Sequence, residues 1–483
     1  MLKKNKMFQV LMASAVVTSV LAGGTAEAAS TAKSSAAGQA AKMASPKLKA
    51  AKVELSVNGA SVSVNAVQLN QAYLVAVSDI VKAFGASASA AKGIVTIKDA
   101  TGSRVVQLQA GAKSYKVNGE AAAFTNAPLL QDGKTYVELQ SLVEALGGEW
   151  IAGSGQTQQV LTVQRPEGSY SSVRWNAQGQ IIASRDDAES AQIVKLDPAS
   201  YGSTVISTDE YAAELAVSPN GQWGAYTDNA GQLYLMNLAS GLSQKLGSDT
   251  SVKTDLTWSA DNSRIYFIQG DKQEKISYMN VGDGKVTEVL ADKVENKSDV
   301  SLSADGKRLV YIVNVTGVAS SDKDSTEESL SIDYSGAGQQ LYSLDLTDKE
   351  AKPVQLTTGK DNKLYPVALD GGKAAYLSAD PDSVTAKDVI KVIGPGSSVQ
   401  DLSSIIDVTV IAAGPSGTLA AAGIAADGST KVLKIDSGSQ AQLYSTSGTV
   451  SELAVSADGS RIALIEDGRI VVITGGKTIQ LTQ

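Results

Sequence analysis

One short turn recurs along the last two-thirds of the chain, roughly every 42 residues. It reads SPNG at Ser218–Gly221, SADN at Ser259–Asn262, and SADG at Ser303–Gly306 and Ser456–Gly459. Weaker copies are NAQG at Asn176–Gly179, LDGG at Leu369–Gly372 and GPSG at Gly414–Gly417. Their last residues fall at 179, 221, 262, 306, 372, 417 and 459, in steps of 42, 41, 44, 66, 45 and 42. An insertion of roughly 22 residues accounts for the long step. A fixed period of this size marks a repeat architecture.

Each turn is flanked by short apolar runs. Asp255-Leu256-Thr257-Trp258 precedes one copy, and Arg264-Ile265-Tyr266-Phe267-Ile268 follows it. A third run follows, as in Leu233-Tyr234-Leu235-Met236 or Ile470-Val471-Val472-Ile473, and a weaker fourth closes the unit, as in 353–357 and 478–482. Runs of this length, rich in β-branched and aromatic residues and separated by Asp, Asn, Gly and Ser, read as strands joined by tight turns. The closing Gly or Asn supplies the positive φ that the turn needs. Each unit is therefore a four-stranded antiparallel sheet. A lone sheet cannot bury both faces, but a ring of such sheets can. The period predicts a mainly β chain with a seven-bladed β-propeller over 170–483. Six or eight blades stay open because the unit around 362–404 is degenerate.

These segments resemble the TolB-like propeller repeat, whose turn reads WSPDG. The matching residues are Trp258-Ser259-Ala260-Asp261-Asn262 and Leu233-Tyr234-Leu235-Met236-Asn237. The resemblance implies the propeller fold and leaves function open.

The front of the chain differs in kind. Lys3, Lys4 and Lys6 precede an apolar stretch from Met7 to Leu21, followed by Ala26-Glu27-Ala28. A basic start, a short apolar core and an Ala-x-Ala site predict a secretory signal peptide over 1–28, cleaved after Ala28. The apolar core is short for a membrane span, and no later stretch is apolar enough for one. With no cysteine at the cleavage site, a lipid anchor is not expected. Residues 29–52 are mostly Ala, Ser, Gly and Lys, with five lysines and no acid. That composition predicts a flexible linker.

Residues 53–164 predict a small α+β domain of two related halves. The first has an Asn58-Gly59 turn, a strand at Tyr73–Val75, a helix over Ser78–Phe84 and a closing strand at Ile94–Ile97. The second has Asn118-Gly119, Thr135–Val137, Gln140–Leu146 and Val160–Val163. Ile80, Val81 and Phe84 share one helical face, as do Leu142, Val143 and Leu146. The run VNGEAAAFTNAPLLQDGKTYVELQSLVEALGGEW, from Val117 to Trp150, resembles the copper amine oxidase N-terminal-like (stalk) domain. That family is common in secreted proteins of Gram-positive bacteria. In the oxidases, the copper ligands and the modified tyrosine lie in another domain. The resemblance therefore implies a presentation or adhesion module and no copper chemistry.

Composition removes whole classes of activity. The chain has no histidine and no cysteine. Imidazole triads, His-ligated zinc or copper, thiol nucleophiles and disulfides are all excluded. No nucleophile elbow, phosphate loop or dinucleotide fingerprint occurs. The formal charge is −8; losing Lys3, Lys4, Lys6 and Glu27 leaves 39 basic and 49 acidic residues, or −10. Such a chain is a poor match for a nucleic-acid backbone. No cofactor is expected.

The insertion over 316–340 carries Asp322, Asp324, Glu327 and Glu328, beside Lys323 and Asp333. It is expected as an acidic rim loop and a candidate partner-contact segment; clustered carboxylates also suit calcium, though without the EF-hand spacing. The acidic Asp228–Gly231, Gly282–Gly284 and Asp436–Gly438 segments read as turns. Trp175 and Trp258 occupy one repeat position and are expected to pack sheet against sheet, with Trp150 and Trp223 in the core. The reading is an exported, non-enzymatic binding or scaffold protein of a Gram-positive envelope. Its propeller would take a protein, peptide or cell-wall polymer at a rim or at the channel mouth. Two alternatives stand beside it: a glycoside hydrolase or polysaccharide lyase using carboxylates, and a structural spacer.

Overall fold

The computed structural model describes residues 48–483, apart from 70–71, 153–157, 188–189, 322–329, 334–336, 384, 397, 403–405, 415–416 and 437–438. The leader over 1–28 with Ala28, most of the linker, and Asp322, Asp324, Glu327 and Glu328 lie outside the described residues. Among the described residues, no helix is long and apolar enough to cross a membrane.

The N-terminal domain opens with β1 (Ala50–Val57), β2 (Ala60–Leu69), β3 (Ala72–Ala76), α1 (Val77–Ala83), β4 (Ser87–Ala91) and β5 (Ile94–Lys98). There follow β6 (Val105–Gln109), β7 (Ser114–Val117), β8 (Glu120–Ala123), β9 (Leu129–Gln131), β10 (Lys134–Glu138), α2 (Leu139–Ala145), β11 (Glu149–Ile151) and β12 (Gln158–Leu161). Asn58-Gly59 and Asn118-Gly119 make the β1–β2 and β7–β8 turns, with all four residues at positive φ. The strands form a seven-stranded sheet, β11-β12-β1-β2-β3-β10-β9, and a five-stranded sheet, β4-β5-β6-β7-β8. The two halves are thus interlocked. The opening hairpin of the first half takes the closing strand of the second, with Leu55 opposite Gln158 in a parallel pair. The closing strand β5 of the first half pairs with β6, which leads into the second half's hairpin. Both helices bury one face in a core shared by the two sheets, where Ile80, Leu142 and Val143 meet Leu55, Val64 and Val106.

From Tyr170 onward the chain folds into seven four-stranded antiparallel sheets among the described residues, each with its strands in chain order. The degenerate unit is complete, its strands being Asn362–Leu369, Lys373–Ala379, Val389–Ile393 and Gln400–Asp401. The insertion forms a hairpin, Val318–Ser321 with Leu330–Asp333, between the second and third strands of the fourth sheet.

The recurring turn has a physical cause. Each Ser hydroxyl donates to the Asp or Asn two residues on and accepts the N–H five residues on. For Ser303 these bonds are 2.6 Å to Asp305 and 3.0 Å from Arg308; for Ser456, 2.6 Å to Asp458 and 2.9 Å from Arg461. The closing residues Gly179, Gly221, Asn262, Gly306, Gly372, Gly417 and Gly459 all sit at positive φ.

Each sheet shares an apolar cluster with the next. Leu235 of the second sheet packs with Trp258 and Phe267 of the third. Ile268 of the third meets Tyr311 of the fourth, and Ile312 of the fourth meets Tyr376 of the fifth. The pattern runs on through the sixth and seventh sheets. Tyr170 and Val173 of the first sheet then pack with Ile465, Ile470 and Val472 of the seventh, and Ile182 of the first packs with Tyr226 of the second. The sheets therefore close into a ring, a propeller whose every face is covered by a neighbour.

Three lysines that the repeat pattern did not flag are fully buried. Lys253, Lys297 and Lys363 each stand nine residues before the turn's last residue. Each ammonium is held by backbone carbonyls and one aspartate. Lys253 Nζ donates to the carbonyls of Gly231, Asp249 and Ser251 at 2.8–3.0 Å and lies 2.6 Å from the Asp249 carboxylate. Lys297 donates to the carbonyls of Glu274 and Val294 and to Asp292, and Lys363 to Gly359 and Asp361. A buried charge is tolerated only when paired and hydrogen-bonded in this way.

Candidate functional site

The first strand of every sheet is the innermost. These strands are Tyr170–Trp175, Ala216–Val217, Lys253–Trp258, Lys297–Leu302, Asn362–Leu369, Ile406–Ala413 and Val450–Val455. Their C-terminal ends, with the turns that follow, enclose a channel mouth of about 1170 Å³ that draws wall residues from all seven sheets. The turn geometry puts small residues at the rim, such as Ala260, Ala304 and Ala457, with Leu256, Val300 and Leu453 further along the wall.

Among the described residues, four charged side chains line this mouth, and all belong to the first and last sheets: Arg174, Glu452, Asp458 and Arg461. Arg174 forms an ion pair with Glu452, which also accepts the Val173 N–H at 3.2 Å. The Arg461 guanidinium lies 4.4 Å from the centre of the Trp175 ring, a cation–π stack, and donates to the Gly179 carbonyl at 3.3 Å. Asp458 accepts from Ser456 and Ser460, and these bonds hold its carboxyl far below the usual carboxylate range. Tyr365, 47 % exposed and at φ 51°, adds a phenol to the wall. The mouth is thus mainly apolar and Ser-lined without being wholly so.

Trp175 and Trp258 do pack sheet on sheet. Their indole N–H groups donate to the Ala454 and Ala216 carbonyls of the preceding sheet at 3.0 and 2.8 Å. Both rings also reach the mouth wall. Asp228 serves its own turn, its Oδ1 accepting from the N–H groups of Ala230 and Gln232 at 2.9 Å.

Sequence reading missed Arg174, Glu452, Arg461 and Tyr365. Superposing the repeats on their turns would have drawn attention to Glu452 and Tyr365. The position seven residues before each turn's last residue holds Ser172, Glu214, Asp255, Asp299, Tyr365, Val410 and Glu452. The strand pairing slips at or beside this position in six of the seven innermost strands. Such bulges re-aim a side chain. Asp255 and Glu452 use the position to accept an N–H from the next sheet, Asp255 from Asp299 at 3.1 Å. Asp255 is solvent-accessible yet walled by protein. Burial pushes its carboxyl up, and the charge of Asp299 adds to that, against the pull of the Asp299 N–H. Among the described residues, no group of three or more Asp or Glu side chains could hold a metal ion.

Residues 56–162 match the family described as copper amine oxidase N-terminal domain. No curated protein matches the chain. Solved structures with a similar fold include an oligogalacturonate lyase from Vibrio parahaemolyticus, 13 % identical, covering 66 % of this chain and 86 % of that one at a TM-score of 0.45. A putative TolB from Agrobacterium tumefaciens is 18 % identical, covering 54 % and 91 % at 0.38. A puromycin-hydrolyzing peptidase from Mycobacterium tuberculosis is 14 % identical, covering 66 % and 55 % at 0.46. At these identities the likeness carries no function. The chain joins a segment similar to the copper amine oxidase N-terminal domain to a β-propeller similar to TolB-like proteins.

Proposed function

We propose that this is an exported, non-enzymatic binding protein of the bacterial cell envelope, whose propeller takes a segment of a protein, peptide or wall polymer into the channel mouth. One observation carries the reading. Among the described residues, every charged side chain on the mouth wall is already engaged with a neighbour: Arg174 with Glu452, Asp458 with its serines, Arg461 with Trp175 and Gly179. A general acid or base needs a proton-accepting or proton-donating group aimed at the reactant, and these groups are aimed at the protein. The volume, about 1170 Å³, exceeds the roughly 300–1,000 Å³ of small-molecule pockets and suits a chain segment.

The rival reading is a carbohydrate-active enzyme. It draws on Arg174, Glu452 and Tyr365 lining one wall system. One experiment separates the two. Full-length protein carrying Trp150→Phe and Trp223→Phe is titrated with peptide pools and purified wall polymer while the fluorescence of the remaining Trp175 and Trp258 is followed. The same polymers are assayed for chain cleavage. A saturable signal without cleavage, lost when Ala260→Arg and Ala304→Arg crowd the rim, supports binding. Cleavage that disappears in Glu452→Gln overturns it in favour of the enzyme. Fractionation of producing cells tests the envelope location.

A further inference from the structure

The ring joins its two ends between the first and the seventh sheets. The first sheet is built wholly from the start of the propeller and the seventh wholly from its end, so no strand crosses the seam. Direct bonds at the seam are single contacts rather than a ladder: Tyr170 N–H to the Gly468 carbonyl at 2.8 Å, Val173 N–H to Glu452 at 3.2 Å, Trp175 to Ala454, and the Arg174–Glu452 and Arg461–Gly179 contacts.

A second set of contacts bridges the seam from outside the ring. Leu161, at the end of β12, is fully buried in the cluster that also holds Tyr170 and Tyr201 of the first sheet and Ile470 and Leu481 of the last. Ile151 and Val163 pack against the same cluster. Arg165 grips Glu149 of β11 through two side-chain bonds, 3.0 Å from Nε and 2.7 Å from Nη2, and reaches the Gln480 carbonyl at 3.3 Å. Gln483 returns the contact, its N–H donating to the Pro166 carbonyl at 3.0 Å and its side chain to the Arg165 carbonyl at 3.2 Å. Both partners of the Arg165–Glu149 pair are well shielded, with side chains 11 % and 16 % exposed.

We infer that the N-terminal domain is the clasp of the propeller: by binding the first and last sheets together, it does the work that a shared strand would do, and the ring opens at this seam when the clasp is weakened. The charged residues of the mouth stand on the same seam, so the clasp also fixes the geometry of that wall.

The test is hydrogen exchange on the full chain carrying Arg165→Ala or Glu149→Gln. The inference expects exchange in Tyr170–Trp175 and Val450–Val455 to speed by about tenfold or more, with Lys253–Trp258 and Lys297–Leu302 unchanged. Equal acceleration in all seven sheets, or none in the first and last, overturns it. A lock supplies the second arm. A Cβ placed on Gly468 would stand 3.6 Å from the Ser169 Cβ, within the span of a disulfide; because Gly468 sits at φ +78°, the same double cysteine variant with Arg165 intact is the reference for the strain it adds. Ser169→Cys with Gly468→Cys, oxidised in the Arg165→Ala background, is expected to return seam exchange to the wild-type rate; failure to do so overturns the inference. If Arg165→Ala alone does not fold, folding that depends on the oxidised lock supports the clasp, and a chain unfolded in both redox states refutes it. None of these outcomes depends on a ligand, so the binding proposal stands or falls separately.

Discussion

Replacing Lys297 by Met asks whether a buried ammonium organises the junction between consecutive sheets. The Lys297 side chain is 0 % exposed, and its Nζ donates to Glu274 O at 2.9 Å, to Asp292 Oδ1 at 2.7 Å, and to the Val294 carbonyl. Met keeps most of the apolar stem and removes the donor. Two carbonyls then lose their partner, at about 1–3 kcal/mol for each that stays dry. Asp292, 27 % exposed, regains water, which limits its share. Met also gains a little apolar burial, about 1 kcal/mol. The balance is about 3 kcal/mol of destabilisation, the low end of what breaking a buried ion pair costs. Lys272→Met is the internal control. Its bridge to Glu295 lies nearby but is 69 % and 48 % exposed, so about 0–1 kcal/mol is expected. Urea unfolding of both variants beside wild type, followed by far-UV circular dichroism with the slope checked for constancy, gives the comparison. If the two substitutions differ by less than about 0.5 kcal/mol, the ammonium is not organising that junction and the reasoning fails.

Other outcomes follow from the same geometry. Gly221→Ala and Gly306→Ala both force Ala to a positive φ, +62° and +68°, but only at Gly221 does a new Cβ strike the neighbouring sheet, 1.9 Å from Ala177 N. Gly306→Ala should cost about 1–2 kcal/mol and Gly221→Ala clearly more; equal melting shifts would contradict the close approach. Trp175→Phe removes the bond to the Ala454 carbonyl and weakens the Arg461 stack, with about 1–3 kcal/mol lost; an unchanged unfolding midpoint would count against a seam role. Burial alone would raise the Glu149 carboxyl, but hydrogen bonds from Arg165 and its charge bring it below the usual range. A carboxyl lowered on folding stabilises above its unfolded value of about 4.3, and that stability is lost as pH falls through the folded value. The stability gap between wild type and Glu149→Gln should therefore narrow on acidification below about pH 4, and a gap that widens would reverse the sign of the argument.

Most of the propeller was legible because its turn is a chemical necessity. The Ser303 and Ser456 hydroxyls close the same ring of bonds, so the motif that fixes the period is also the one that builds the hairpin. The strands Leu233–Asn237 and Arg461–Glu466 are interior strands of their sheets, and they carry the apolar residues that such buried positions demand. The site was less legible. Arg174 and Glu452 are 278 residues apart in sequence, and only ring closure makes them neighbours. The buried lysines look like surface residues in any local window, because what hides them is the loop from the preceding sheet. In the N-terminal domain both Asn-Gly turns and both helices were readable, but the exchange of closing strands was not, since β5 and β12 satisfy the same local pattern whichever hairpin they join.

That exchange sets the order in which the chain can mature. With β1 paired to β12 across about a hundred residues, the opening hairpin has no finished sheet to rest on until Leu161 has been made. Loop closure of that length is slow and leaves sheet edges open meanwhile. During vectorial synthesis, the domain therefore completes itself only as the propeller's first strand, beginning at Tyr170, is about to emerge. A finished N-terminal domain then waits, one face bare, through nearly three hundred residues for the strand that will cover it.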